Sequence, residues 1–323
     1  MTSKMPVALW GVGRHAVRRI LPALRQSKLA SLVGVYSRNR EAREQVAGEY
    51  SCRVYESEEA MLADPNVELV FLTTPSGLHA TQGEQVVTAG KHAIIEKPLT
   101  HSLPSTEKLL DIADKNDRRV IPAFMQKYHP QFTRLVSLLE QDVVGDLRSL
   151  SIRFGIPSLN VNTFRDDPAL GGGATLDMFC YHLSLTYQLL PTVPRLITGS
   201  VKTRAPSRTD SDGWCVLESG GVAVFCEWGM NRAYQNNLEV WGTEGMLKCD
   251  RVFSKEEDFD SKIELYDLRG SLTKVIETGR ANAYTSMVDG IAEGLSHGDD
   301  FQEDKEEALW IASMIDQVLR GSG

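Results

Sequence analysis

Hydrophobic residues in the first third of the chain form short continuous runs separated by stretches with helical spacing. The runs 7–10, 67–72 and 92–95 are apolar almost throughout, which is typical of strands buried on both faces of a parallel sheet. The stretch 17–24 places its apolar residues three and four positions apart, as a helix does. Strands are predicted at 7–10, 29–36, 53–55, 67–72, 92–95 and 119–124, and helices at 17–24, 41–49, 58–62, 84–89 and 105–114. This alternation predicts a doubly wound parallel sheet, a Rossmann domain, over residues 1–124.

The pattern changes after residue 147, where strands follow one another with little helix between them. Strands are predicted at 149–154, 195–203, 214–218, 222–229, 237–241 and 245–250, and helices at 132–139, 183–190, 285–294 and 303–319. Short strands joined by turns are typical of an antiparallel sheet. We therefore predict an α/β protein whose second domain, residues 125–323, is an α+β domain with a mostly antiparallel open sheet. The last helix is expected to return to the first domain.

Composition agrees with a two-domain globular protein. The chain has 323 residues, and single cores seldom grow beyond about 250. The 35 Lys and Arg against 43 Asp and Glu give a formal charge of −8, which argues against a general binder of nucleic acid or anionic membranes. The five cysteines lack a Cys-x-x-Cys spacing, so free thiols are expected rather than disulfides or a metal site. No apolar run has the length of a membrane span or a signal-peptide core, and a cytoplasmic location is expected.

The first predicted strand leads into Gly11-Val12-Gly13-Arg14-His15-Ala16. In a phosphate-binding turn the first glycine permits a tight bend, the second lets backbone approach a pyrophosphate, and the small third residue allows helix and strand to pack closely. The N-terminus of the following helix would face the phosphate charge. An ordinary strand-to-helix turn is the alternative.

The end of the second predicted strand bears on the choice of dinucleotide. NAD-binding folds usually place an acid there, about 20 residues past the glycines, on the ribose 2′-hydroxyl. This chain has Ser37 and Arg38 instead, and a hydroxyl with a guanidinium suits a 2′-phosphate. NADP(H) is therefore preferred over NAD(H), unless Arg38 is only a surface charge at a helix start.

Two more loops follow buried strands, at Thr73-Thr74-Pro75 and at Glu96-Lys97-Pro98. Ligands of open α/β sheets bind beyond the carboxyl ends of the strands, so both loops are expected at the cofactor cleft. His79 either contributes to that cleft or only starts the next helix. The proline after Lys97 can adopt the cis form and would direct the lysine ammonium into the cleft. A strand-end lysine paired with Glu96 is the alternative.

In the second half, Gly171-Gly172-Gly173-Ala174 precedes a predicted helix that carries Asp177 and Tyr181. These two residues are four apart and so lie on one face of an α-helix. His182 lies about 140° from Asp177 at about 100° per residue, which makes Tyr181 the partner of Asp177. A π-bulge would change this register and present His182 instead. A buried hydrogen-bonded pair without a catalytic role is the other alternative.

With Trp241-Gly242-Thr243-Glu244-Gly245 near a late turn, these motifs resemble the Gfo/Idh/MocA oxidoreductase family over essentially the whole chain. The resemblance implies that Lys97 lies near the nicotinamide and the substrate, and that Asp177 and Tyr181 act in proton transfer. With a tyrosine at position 181, the chain is similar to the branch of the family that contains glucose–fructose oxidoreductase, dihydrodiol and xylose dehydrogenases, and NDP-hexose 3-ketoreductases. Phe164-Arg165 and Asp250-Arg251-Val252-Phe253 look most like the ketoreductases. Phe179 departs from the family, which often has glycine there.

The sequence thus predicts an NADP(H)-dependent enzyme that transfers a hydride to or from a sugar carbon, without a metal. Predicted catalytic residues are Lys97, Asp177 and Tyr181. Predicted cofactor contacts are Gly11, Gly13, Arg14, His15, Ser37, Arg38, Thr73, Thr74, Pro75, His79, Glu96, Lys97 and Pro98. Predicted substrate contacts are Lys97, Gln126, Tyr128, Phe164, Arg165, Asp177 and Tyr181.

The substrate is expected to be a sugar or a nucleotide-linked sugar. Alternative functions are a free-sugar, polyol or dihydrodiol dehydrogenase, an NAD(P)-dependent glycosidase and a cofactor-binding regulator without turnover. An open sheet with one face free of helices exposes apolar surface, so a homodimer or homotetramer formed through this sheet is expected.

Overall fold

The computed structural model describes residues 4–157, 163–203 and 208–321. The chain divides into two compact units. The first unit contains residues 1–124 together with 284–312, and the second contains 125–283 and 313–323. The first unit is therefore built from two separate segments of the chain.

A six-stranded parallel sheet forms the centre of the first unit, with the order β3-β2-β1-β4-β5-β6. Its strands are β1 (Met5–Trp10), β2 (Ala30–Tyr36), β3 (Arg53–Val54), β4 (Leu69–Leu72), β5 (His92–Ile95) and β6 (Val120–Pro122). Successive strands are added on one side of β1 up to β3 and on its other side from β4 onward, while β1 and β4 are parallel hydrogen-bonded neighbours. This reversal of strand order is the switch point at which doubly wound sheets bind their ligands. The predicted Rossmann sheet is confirmed.

Helices surround this sheet. They are α1 (Leu21–Gln26), α2 (Arg40–Tyr50), α3 (Glu58–Leu62), α4 (His79–Thr88), α5 (Leu103–Lys115), α8 (Ala283–His297) and α9 (Gln302–Arg320). The helix predicted at 17–24 begins as a π-helical turn, Ala16–Ile20, which continues directly into α1. Of the helices in the described ranges, none is both long enough and apolar enough to cross a membrane.

Helix α8 and the N-terminal half of α9 are integral to the first unit. Asp289 of α8 accepts hydrogen bonds from the Ser27 hydroxyl at 2.5 Å and from the Leu29 amide at 3.1 Å. Ala308 of α9 is buried in the same hydrophobic cluster as residues of β1, β4 and β5. Lys305 forms an ion pair with Asp114 of α5. These contacts join residues more than 190 positions apart.

An eight-stranded sheet forms the second unit, with the order β14-β13-β12-β11-β7-β10-β9-β8. Its strands are β7 (Leu147–Ile156), β8 (Arg195–Thr203), β9 (Asp210–Ser219), β10 (Val222–Met230), β11 (Gln235–Gly242), β12 (Met246–Asp250), β13 (Ser261–Tyr266) and β14 (Leu272–Gly279). Among the strands that the structure describes in this sheet, only the β7–β10 pair is parallel, so the predicted, mostly antiparallel sheet is confirmed. The sequence analysis missed β13 and β14.

The two faces of this sheet differ in burial. One face carries buried residues such as Ile152 and Phe154, and Phe154 contacts Tyr181 of α7 (Cys180–Leu189). Helix α6 (Pro130–Glu140) packs against β13 and β14. On the opposite face, three aromatic side chains remain exposed. Trp214, Phe225 and Trp241 have relative exposures of 46%, 47% and 64%.

Candidate active site

The glycine turn after β1 is locked against the loop that follows β4. Gly11 has a φ of +108°, and its amide donates to the Tyr36 carbonyl at 2.8 Å. The Thr73 hydroxyl donates to the Gly11 carbonyl at 2.7 Å. A Cβ at Gly11 would lie 3.0 Å from the Thr74 side chain, so glycine is required here by both conformation and space.

Gly13 fits the role of the second glycine in a phosphate-binding turn, which lets the backbone approach a pyrophosphate. A Cβ built on Gly13 has no atom within 4 Å, so its backbone borders open space that any side chain would fill. The Val17 amide donates to the Gly13 carbonyl at 3.0 Å, which places Gly13 at the start of the helical segment. An open glycine at a helix N-terminus, next to the switch point, fits the pyrophosphate of a dinucleotide.

A histidine of the turn is paired with the loop after β5. His15 Nε2 lies 3.0 Å from Glu96 Oε1. Burial alone would raise the pKa of Glu96, but the charge and hydrogen bond of His15, with the charge of Lys97, hold that pKa below its ordinary value. Glu96 therefore stays a buried carboxylate, and its pairing with His15 fixes the loop that contains Lys97 to the glycine turn.

His79 joins the two loops that follow β4 and β5. It starts α4, is buried, and directs Nε2 to the Thr74 carbonyl at 2.8 Å and Nδ1 to the Pro98 carbonyl at 3.0 Å. Burial lowers the pKa of His79, so its ring is neutral at ordinary pH. The Lys97–Pro98 peptide is cis. His79 thus acts as a buried tie between the predicted cofactor loops.

The residues after β2 differ in their surroundings. Ser37 is buried, and its carbonyl accepts a hydrogen bond from Arg43 at 3.0 Å. Arg38 is exposed. Its guanidinium forms no hydrogen bond or ion pair with another residue in the described ranges, so it is available to an anionic group.

In the second unit, the glycine-rich loop folds back against strand β9. Gly173 has a φ of +118°, and a Cβ there would collide with the Asp210 carboxylate. That carboxylate accepts hydrogen bonds from the Thr175 amide at 2.6 Å and from its hydroxyl at 2.7 Å. The Gly173 amide also donates to the Arg165 carbonyl at 3.0 Å. Gly173 therefore allows the loop to bring Arg165 beside the helix that follows.

The segment that carries Asp177 is not a regular α-helix as predicted. It is a π-helical turn, Thr175–Phe179, that continues into α7. The wider turn does not expose His182, which is fully buried with ring nitrogens 3.1 Å from the Met178 carbonyl and 2.9 Å from the Glu227 carbonyl. Burial lowers the pKa of His182 to about 4, so this ring is a neutral part of the core.

Tyr181 is held by hydrophobic neighbours. Its ring centroid lies 5.8 Å from that of Phe154 and 5.3 Å from that of Phe253. Its hydroxyl lies 3.8 Å from the sulfur of Met125. These contacts fix the orientation of the phenol.

Asp177 is engaged by Arg165. Arg165 Nε lies 2.6 Å from Asp177 Oδ2, and one terminal nitrogen lies 3.4 Å from Oδ1. The charge of Asp177 raises the pKa of Arg165, and Tyr181 contributes in the same direction. Asp177 and Arg165 therefore form an ion pair, and the Arg165 Cζ lies over the Phe164 ring, 4.9 Å from its centroid.

Family profiles match both parts of the chain. Residues 5–124 match the Gfo/Idh/MocA oxidoreductase family with its NAD-binding Rossmann fold, and residues 132–248 match the C-terminal domain of the same family. A Streptomyces violaceoruber protein, dTDP-3,4-didehydro-2,6-dideoxy-alpha-D-glucose 3-reductase, is 31% identical over 77% of this chain and 73% of its own. The chain belongs to the Gfo/Idh/MocA oxidoreductase family.

Two further family members are similar over almost the full length. D-xylose 1-dehydrogenase (NADP(+)) 2 of Haloferax volcanii is 26% identical over 98% of this chain and 97% of its own. KijD10, a 3-ketoreductase from Actinomadura kijaniata solved with NADP and TDP-benzene, is 26% identical. It has a TM-score of 0.94, and the match covers 99% of this chain and 98% of KijD10. The resemblance stated from the sequence is confirmed.

Two predicted substrate contacts lie where this family's second domain begins. Gln126 is buried and donates to the Ser184 hydroxyl at 3.1 Å, while its Oε1 has no hydrogen-bond partner in the described part of the chain. Tyr128 is half-buried. In the described ranges, no group of three or more His, Cys, Asp or Glu side chains is arranged to hold a metal ion.

The sequence analysis did not identify the residues that contact Tyr181 or hold the π-helical turn that carries Asp177. Asp210 lies 35 positions from Thr175, and Met125 lies 56 positions from Tyr181. Neither belongs to a local motif. Phe253 appeared only within a stretch that supports the resemblance, and its contact with Tyr181 has no signal in the local pattern.

Proposed function

We propose that this protein is an NADP(H)-dependent sugar oxidoreductase that reduces a keto group on a nucleotide-linked hexose, as an NDP-hexose 3-ketoreductase does. One observation carries the proposal. KijD10 has been solved as a tyrosine-to-phenylalanine variant and as a lysine-to-alanine variant. Those two residues are separated along their chain by the same number of positions as Lys97 and Tyr181 here, within a fold that matches over 99% of this chain.

The chemistry follows from the residue types. NADPH, when bound, supplies a hydride to the carbonyl carbon. In the reducing direction, the Tyr181 phenol donates its proton to the carbonyl oxygen. An ordinary tyrosine, with a pKa of about 10, holds that proton at neutral pH. The Lys97 ammonium donates a hydrogen bond to the same oxygen and stabilises the charge that develops there.

Asp177 has a binding role in this scheme. Its carboxylate is balanced by Arg165 through hydrogen bonds at 2.6 and 3.4 Å, yet each carboxylate oxygen can accept more than one hydrogen bond. Asp177 therefore accepts from a sugar hydroxyl and orients the ring. Arg165 keeps the carboxylate ionised and in place.

NADP(H) is the proposed cofactor. KijD10 was solved with NADP, and the Haloferax volcanii relative is named for NADP(+). Arg38 is exposed directly after Ser37, where it would pair with a 2′-phosphate. We expect Arg38→Ala to weaken NADPH binding by about ten- to a hundredfold, the value of a hydrogen bond to a charged group, and to leave NADH binding unchanged. Arg40→Ala is the control, because Arg40 already pairs with Glu44 at 2.7 Å.

A direct assay tests the reaction. Oxidation of NADPH is followed by absorbance with dTDP-3,4-didehydro-2,6-dideoxy-alpha-D-glucose, and the reverse reaction is followed with NADP+ and free sugars. We expect kcat/KM to be at least about 100-fold higher for the nucleotide-linked ketone, because a site that recognises the nucleotide uses that binding energy in the transition state. Turnover of free sugars alone would contradict the proposal.

A free-sugar dehydrogenase is the second candidate. It is favoured by the Haloferax volcanii D-xylose 1-dehydrogenase, which matches 98% of this chain at 26% identity. Oxidation of D-xylose by NADP+ would identify this activity. Sugar cleavage without net cofactor oxidation would instead identify a glycosidase, and cofactor binding without any turnover would identify a regulator.

We also propose a cytoplasmic homodimer or homotetramer. All five cysteines are free thiols, which fits a reducing compartment. The exposed aromatic face of the eight-stranded sheet supplies apolar area of the kind that subunits bury.

A further inference from the structure

A buried polar cluster lies at the start of α6, outside the residues assigned to catalysis. His129 and Gln131 are each only 1% exposed. His129 Nδ1 accepts a hydrogen bond from the Gln131 amide at 3.0 Å and so caps the helix. A neutral imidazole whose Nδ1 accepts carries its proton on Nε2. This Nε2 donor has no partner among the residues that the structure describes.

Gln131 connects this helix start to the edge of β12 and β13. Its side-chain nitrogen donates to the Asp250 and Lys262 carbonyls, both at 3.0 Å. The loop that follows β12 is fixed by Asn236, whose Oδ1 accepts from the Phe253 amide and whose Nδ2 donates to the Ser254 carbonyl, both at 2.9 Å. The next residue, Lys255, is therefore held in a defined position.

Lys255 is a buried amine without an anionic partner in the described part of the chain. It is 8% exposed and forms no hydrogen bond or ion pair with any residue in 4–157, 163–203 or 208–321. Burial lowers its pKa to about 7. Burial and then the charge of Lys255 lower the pKa of His129 to about 4, so the ammonium and the ring interact electrostatically. A buried charge that lacks an opposite charge is costly.

We propose that His129 and Lys255 form an anion-binding subsite that holds a phosphate oxygen of the nucleotide diphosphate in the substrate. The inference rests on the proposed function and names the part of the substrate that this cluster recognises. The His129 Nε2–H and the Lys255 ammonium are two largely buried donors without an acceptor among the described residues, and a phosphate oxygen supplies both an acceptor and the opposite charge. Phe253, two residues before Lys255, contacts the Tyr181 ring at 5.3 Å. Two residues span about 7 Å of chain, so the subsite is a short distance from the proposed proton donor.

The test is calorimetric titration of dTDP, inorganic pyrophosphate and thymidine into the full-length protein saturated with NADP+, so that the cofactor site is filled. Lys255→Met keeps the length of the side chain and removes its charge. We expect it to weaken dTDP and pyrophosphate binding by about ten- to a hundredfold and to leave thymidine binding unchanged. Lys248→Met is the matched control, because Lys248 is half-buried and pairs with Glu239 at 3.4 Å; it should bind dTDP as the wild type does.

A second variant separates anion binding from folding. His129→Asn retains a side-chain acceptor for the Gln131 amide but removes the Nε2 donor, and it should also weaken dTDP binding. In anion-free buffer, Lys255→Met should melt at the same temperature as the wild type or higher, since it removes an unpaired buried charge.

The possible outcomes test the anion-binding subsite separately from the proposed reduction of a nucleotide-linked ketone. Equal dTDP affinity in the wild type and in Lys255→Met overturns the subsite. Normal turnover of a nucleotide-linked ketone by Lys255→Met also overturns the subsite, but in that case the proposed function stands. Lys255-dependent dTDP binding without turnover of any nucleotide-linked sugar supports the subsite and overturns the proposed reaction.

Discussion

Tyr181 and His182 are neighbours in the chain but lie in opposite kinds of environment. Tyr181 lies between Phe154, Phe253 and Met125, and its hydroxyl is 3.8 Å from the Met125 sulfur. His182 directs both ring nitrogens to backbone carbonyls in the core. The tyrosine is therefore the residue that we propose as the proton donor.

Substitution of these two residues tests that assignment. We expect Tyr181→Phe to lower kcat by about 10²- to 10⁴-fold, as loss of a general acid does, and to leave the Kd for NADPH within about twofold. His182→Asn, in protein that remains folded, should retain most of the wild-type kcat. Steady-state kinetics with a fluorescence titration of NADPH measures both quantities. A normal kcat for Tyr181→Phe would reject the tyrosine as the proton donor.

The burial of His182 also predicts a pH dependence of stability. Burial lowers its pKa from an ordinary 6.5 to about 4, so between these pH values the unfolded chain binds a proton that folded His182 does not. The contribution of neutral His182 to the free energy of unfolding is fully present above pH 6.5 and is lost as the pH falls toward 4. We expect His182→Asn to reduce the slope of the unfolding free energy by about 1.4 kcal/mol per pH unit in this range.

Urea unfolding at a series of pH values measures this slope. His297→Asn is the control, because His297 is exposed at the end of α8 and should not change the slope. Identical slopes for the wild type and His182→Asn would show that His182 takes up its proton in the folded protein.

At the scale of elements, the glycine-rich loop and the π-helical turn act together. Gly173 packs against Asp210, and Asp210 holds Thr175 at the start of the turn. Trp228 of β10 donates to the Thr175 hydroxyl at 3.0 Å. The sheet thereby positions the segment that carries Asp177.

Two alanine substitutions separate the backbone and steric parts of this arrangement. Gly221→Ala introduces a side chain at a φ of +87° with no atom within 4 Å, and should cost about 1–2 kcal/mol of stability from backbone strain alone. Gly173→Ala adds a collision with Asp210 and should cost about 1–3 kcal/mol more, as overpacking does. Urea unfolding measures both free energies. Equal losses would show that Asp210 moves aside freely.

The sequence predicted those strands and helices in which the apolar residues form a continuous run or a regular spacing. The buried runs gave the Rossmann strands, and alternation gave most of the second sheet. Strand β14 was missed because nearly all its residues are exposed, and an edge strand without a buried face leaves no period-2 pattern.

The π-helical turn has no local signature either, because contacts from β9 and β10 hold it in place. The sequence identified Arg165 and Asp177 separately as site residues, but not their ion pair, since a loop built on positive-φ glycines brings them together. The pairing of His15 with Glu96 was missed for the same reason, as it joins turns 81 positions apart.

At the scale of the whole molecule, the exposed face of the eight-stranded sheet predicts self-association. Trp214→Lys with Trp241→Lys places two charges on a face whose aromatic residues are 46–64% exposed. We expect the double variant to sediment as a monomer and the wild type as a dimer or tetramer, because burying unpaired charge opposes association.

Leu268→Lys is the control for this experiment. Leu268 is 76% exposed in the turn between β13 and β14, so it tests whether any exposed apolar residue has the same effect. An unchanged mass for the double tryptophan variant would place the subunit interface elsewhere.

The discontinuous first unit has a consequence for synthesis on the ribosome. Residues 4–124 are made before the second unit, yet Asp289, which accepts hydrogen bonds at Ser27, and Ala308, which belongs to the hydrophobic cluster, are made after residues 125–283. Residues 4–124 of the nascent chain therefore keep part of their apolar surface exposed while some 160 residues of the second unit are translated. A ribosome that stalls before α8 would release a half-finished Rossmann unit, which makes this interval the stage at which chaperones and proteases would most readily recognise the chain.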